Sequence, residues 1–65
     1  MNSNTTARIA FALGMATSAT MEAQGHLADD KLSSCLFRIE EAEDFLAHAK
    51  KLLTGPADPK EKEKK

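Results

Sequence analysis

Large aromatic side chains are nearly absent: the 65 residues hold no Trp, no Tyr and three Phe. Any core therefore has to be assembled from Leu, Ile, Met and Ala, without the bulky anchors that dominate many interiors. A single cysteine, Cys35, cannot close an intramolecular disulfide, and with His26 and His48 far away in sequence it makes a poor zinc set. Only three Gly and two Pro are present, and they form no phosphate-cradling loop; paired-cysteine and HExxH patterns are missing too. Length excludes a second domain. A unit of this size buries only about 60% of the surface of its unfolded chain and usually needs a disulfide, a metal or a partner chain. With the first two excluded, a partner chain is expected, and no cofactor or metal site is.

Charge of one sign is lacking as well. Nine Lys and Arg against ten Asp and Glu leave a net charge of -1, which argues against a general affinity for nucleic acid. The charges are unevenly spread. Residues 1–28 carry only Arg8 and Glu22, residues 29–53 carry six acids against Lys31, Arg38, Lys50 and Lys51, and the tail alternates signs before ending on Lys64 and Lys65. Hydrophobic residues at 42% with 29% charged describe a globular chain rather than a disordered one.

What is present is helical periodicity. Between Asp29 and Leu53 the residues Leu32, Cys35, Leu36, Ile39, Ala42, Leu46, Ala49 and Leu53 recur at intervals of three and four, which marks one face of a helix. Asp29 and Asp30 are placed to cap its first turn, Lys50 and Lys51 suit its negative end, and Gly55-Pro56 stops it. The Ala- and Thr-rich first segment groups Thr5, Ile9, Ala12, Leu13, Ala16, Thr20, Ala23 and Leu27 on one side, with Ser3 or Asn4 as N-cap and Gly25 as terminator. The expected fold is all-α: an antiparallel two-helix hairpin over residues 1–55, with helices at about 4–25 and 30–53 and a turn at about 25–29, followed by a disordered charged tail over 56–65. The small residues of the first helix should face the leucines of the second.

A single neighbouring helix cannot cover so wide an apolar arc. Phe11, Met15, Leu36, Phe45 and Leu52 are the expected dimer or partner seam, and an isologous homodimer forming a four-helix bundle follows. Catalytic residues are not expected: Cys35 lies on the core stripe, His26 in the turn, and His48 four residues after Asp44, where a simple helical pair accounts for it. Phe37 falls on the charged side of the second helix among Glu40, Glu41 and Asp44, and an exposed aromatic ringed by acids is a candidate anchor for another protein.

The run from Arg8 through Met15 to Ala19 only faintly matches a secretory signal and is interrupted by Gly14, and no run can span a bilayer. With no spanning run, no membrane partner is expected, and a lone Cys fits a reducing, cytoplasmic setting. In length, paired helices, short turn and charged tail, the chain resembles the small dimeric hairpin regulators of plasmid copy number. That resemblance implies RNA binding through a basic stripe, for which the first helix offers only Arg8. The sequence is therefore read as a non-enzymatic homodimeric regulator, inhibitor or adaptor acting by protein binding. A dimeric RNA-binding hairpin and a helical subunit of a larger assembly are the alternatives.

Overall fold

A computed structural model describes residues 2–54. Helix α1 spans Ser3–Ala28 and α2 spans Leu32–Thr54. The two pack against each other as a hairpin, a single layer only 8 Å thick in its Cα trace; the described residues contain no strand. The expected Gly55-Pro56 stop and the charged tail lie outside the described residues.

Both helix ends at the turn differ from expectation. Helix α1 runs through Gly25 to Ala28, because the chain ends it with a different device. Asp30 adopts a positive φ of 62°, and the Lys31 N–H donates to the His26 carbonyl at 2.8 Å while the Asp30 N–H donates to the Leu27 carbonyl at 3.0 Å. This is the Schellman arrangement, with aspartate in the left-handed position that glycine usually occupies. Asp29 and Asp30 are thereby used to end α1 rather than to cap α2. Helix α2 instead starts at the Lys31 carbonyl, which accepts the Cys35 N–H at 2.9 Å. At the other end the cap is Asn2, one residue earlier than expected, with its Oδ1 accepting the Thr5 N–H at 2.8 Å.

The left-handed conformation costs a residue with a Cβ more than it costs glycine. Asp30→Gly is therefore expected to raise stability by about 0.5–1 kcal/mol, after subtracting the greater unfolded-chain freedom of glycine. Urea unfolding would show this as a higher midpoint with an unchanged slope.

The seam between the helices is built from small residues on both sides. Ile9, Ala12, Ala16, Ala19 and Ala23 of α1 and Ala42 and Ala49 of α2 are the buried apolar residues. Ile9, Ala12 and Ala49 form one cluster, with Leu52 packed against it. Cys35, Arg38, Phe45 and Leu52, partly buried, continue the α2 side of the seam at alternating steps of three and four. The expectation that leucines of α2 would face alanines of α1 is thus corrected. Leu32, Leu36, Ile39, Leu46 and Leu53 are exposed, as are Leu13 and Leu27 of α1. The physical reason is that a wide apolar arc permits two seams about a quarter-turn apart. Alanines at 42 and 49 let the helix axes approach closely, and the leucines are then displaced to one side.

Candidate protein-binding faces

A two-helix layer has two broad faces, and the seam determines what each carries. On one face, Leu13, Thr17, Thr20 and Met21 of α1 meet Leu46 of α2 around a groove of about 250 Å³ floored by Ala16. Helical spacing extends the same face along Thr6, Leu13, Thr20 and Leu27 on α1 and along Leu32, Ile39, Leu46 and Leu53 on α2, with Leu36, Glu43 and Lys50 at its outer edge. The seven Leu and Ile side chains of this face are each between 42% and 60% exposed. Its polar atoms are already satisfied. The hydroxyls of Thr6, Thr17 and Thr20 donate to the carbonyls of Asn2, Leu13 and Ala16 at 3.1, 2.9 and 2.9 Å. Covering these threonines would leave no hydroxyl without a partner, so the usual penalty for burying polar groups is small here.

The opposite face is mixed. Arg8, Phe11, Phe45 and His48 line a groove of about 330 Å³ with Ala7 and Ala12. Nearer the turn, the Arg38 guanidinium lies between the helices, donating from Nε to Glu22 at 2.9 Å and from Nη1 to Glu41 at 2.7 Å. It also lies 5.4 Å from the centre of the Phe37 ring. The hydrogen bond to Glu41, reinforced by the charges of Glu22 and Glu41 against the opposing cost of burial, raises Arg38 above its ordinary pKa. Arg38 therefore stays cationic at every accessible pH and ties α1 to α2 beside the turn. Arg38→Met keeps the apolar stem and removes the charged fork. The expected result is a lower thermal midpoint at low ionic strength, with the difference narrowing as salt is raised toward about 1 M, where the screening length falls to about 3 Å.

The residues singled out from sequence do not form one patch. Phe37 is 56% exposed on the charged face; Glu40 and Asp44 are exposed on the same helix, while Glu41 is drawn toward Arg38. Phe11 and Phe45 share the Arg8–His48 groove, and Met15 is exposed on the same side of α1. Leu52 turns inward against Ile9, Ala12 and Ala49, and Leu36 belongs to the leucine face. His48 borders the Phe11 groove, and no ion pair joins it to Asp44 among the described residues. Cys35 is half-buried.

Sequence reasoning missed Arg38 as an interhelical link and missed the leucine face as a surface. The available signal was the second three-and-four series through Arg38, Ala42, Phe45 and Ala49. Among the described residues, no group of three or more His, Cys, Asp or Glu side chains converges as a metal site would require. Among them, too, no helix is long and apolar enough to cross a membrane.

No family model, curated protein or solved structure matches the chain.

Proposed function

We propose that the chain is a non-enzymatic helical protein that pairs with a second copy of itself and presents its Phe37 side to another protein, as a small regulator, inhibitor or adaptor. The observation that carries this reading is the leucine face, whose only charges, Glu43 and Lys50, stand at its edge. A contiguous apolar surface of this kind on a small domain marks an interaction site. Its size is suitable: a helix of 23 residues is about 35 Å long, and two helices side by side are about 20 Å wide, a footprint of roughly 700 Å². Stable complexes bury about 800 Å² per partner. Pairing through this face gives a four-helix bundle, which supplies the burial that an alanine-lined hairpin lacks.

Such pairing leaves the opposite face in solvent, where Phe37 with Glu40 and Asp44 offers an aromatic anchor beside acidic groups for a basic partner surface, Glu41 being already paired with Arg38. The RNA-binding alternative would need Arg8, Lys31 and Arg38 as a basic stripe. Arg38 is held by two carboxylates, which weighs toward protein as the target.

Phe37→Ala is expected to leave helicity and self-association unchanged while reducing capture of a host protein by at least about tenfold, the loss of about 1.4 kcal/mol. Circular dichroism, sedimentation and affinity capture with purified wild type and variant would check this. Loss of the dimer in the variant would mean the faces are assigned the wrong way round.

A further inference from the structure

We infer that the two copies stack with their turns at the same end, so that the leucine ridge on α2 of each copy lies over α1 of the other. The inference rests on the reading that the leucine face pairs with a second copy, and it adds the arrangement. Two flat layers can be stacked face to face by a twofold axis that runs either across the helices or along them.

An axis across the helices lays α2 on α2. The bulky column Leu32, Ile39, Leu46 and Leu53 then meets itself, while α1 meets α1, where Thr6, Ala10, Thr17 and Thr20 lie between Leu13, Met21 and Leu27 and fill the space less fully. Centring that column on its own reversed copy also places the axis beside Glu43, which brings two like carboxylates together. Sliding the copies to set Glu43 against Lys50 removes the repulsion, but it carries Leu32 and Leu36 past the end of the opposing α2.

An axis along the helices has neither fault. It sets the column of α2 over the side of α1 on which Thr6, Ala10, Thr17 and Thr20 leave room between Leu13, Met21 and Leu27, which evens the packing across the interface. It keeps the full helix length in contact and leaves Glu43 and Lys50 at the edge, in reach of water. Leu13 and Leu46 already flank the same groove within one copy. Leu46 of one copy would thus come over the region of Leu13 and Thr17 in the other. The α2 half of the face is the bulkier, and the α1 half, with threonines between Leu13, Met21 and Leu27, is the more open, which is the kind of self-complementarity that an isologous pairing needs. It identifies the occupant as a second copy of the chain rather than an unrelated helix.

The test places a spin label on Lys31→Cys in the full-length Cys35→Ser chain and measures the distance between labels, with sedimentation run on the same sample. Same-end pairing predicts a separation within about 25 Å, set by the helix diameters, whereas opposite-end pairing predicts at least the length of α2, about 35 Å. A second measurement mixes Leu46→Cys with Leu13→Cys or with Ile39→Cys, all in the Cys35→Ser background, under oxidising conditions. The expected product is the disulfide between Leu46→Cys and Leu13→Cys, with little linkage of Leu46→Cys to Ile39→Cys. A dimer with widely separated labels, or one in which Leu46→Cys links efficiently to Ile39→Cys, overturns the arrangement and leaves the pairing reading standing. A monomer with no interlabel signal overturns both.

Discussion

Leu46→Asp should convert the dimer to a monomer at micromolar concentration and raise the dissociation constant by at least about 100-fold. Within one chain Leu46 is 49% exposed, so a protein consisting of the hairpin alone would scarcely respond: surface changes usually stay within about 0.5 kcal/mol. In the dimer the substitution acts twice. Each copy forfeits the remaining burial of a leucine, about 1 kcal/mol, since full burial contributes about 1.5–3 kcal/mol. Each also brings an unpaired carboxylate against an apolar surface, which costs more than the lost leucine. The sum exceeds the roughly 2.7 kcal/mol that corresponds to 100-fold. Leu46→Ala omits the carboxylate and should weaken pairing by about 30-fold, from about 2 kcal/mol per dimer. Sedimentation equilibrium of the three proteins reads both effects, and a dissociation constant unmoved by Leu46→Asp would remove the leucine face from the interface.

The second large effect is expected at Ala49. It is 2% exposed and clustered with Ile9 and Ala12, so Ala49→Leu adds three carbons at a buried point of the seam. Either the axes separate, losing the contacts of Ala12 and its neighbours, or the new side chain is forced off its rotamer. Overpacking of this kind costs about 1–3 kcal/mol, and a seam this short should lie near the upper end. Helix propensity is no confounder, because leucine is nearly as good a helix former as alanine. Ala47→Leu, on the exposed side of α2, provides the control and should change stability by less than about 0.5 kcal/mol. Urea unfolding distinguishes the two seams: stabilisation by Ala49→Leu would mean that small residues of α1 want a large residue opposite them, as the periodicity alone suggests.

The existence of both helices and their hairpin packing are legible from spacing, because apolar residues at intervals of three and four line up on one side of a helix and scatter over both sides of a strand. Which side of each helix turns inward is not. Alanine contributes little hydrophobic contrast, so a seam of Ala12, Ala16, Ala19, Ala42 and Ala49 is outweighed in any periodicity by the leucines a quarter-turn away. The turn is misread for a related reason. Gly25 looks like a helix terminator, yet glycine is tolerated within a helix at a cost of about 1 kcal/mol, and Asp30 can occupy the left-handed position itself. Arg38 escapes notice because a charged residue on a seam is read as a surface residue. Its long apolar stem lets it lie between the helices while the guanidinium reaches Glu22 and Glu41. Phe37 is legible as an exposed aromatic from its position alone, since every neighbour on its side of α2 is polar or charged.

The most direct measurement is sedimentation equilibrium of the full-length chain across the micromolar range, with helicity recorded on the same samples. A mass of twice the 7.1 kDa chain, with helical content that rises as the dimer fills, is the predicted result. A compact and fully helical single chain at those concentrations would contradict the account, because the exposed leucines would then need no cover.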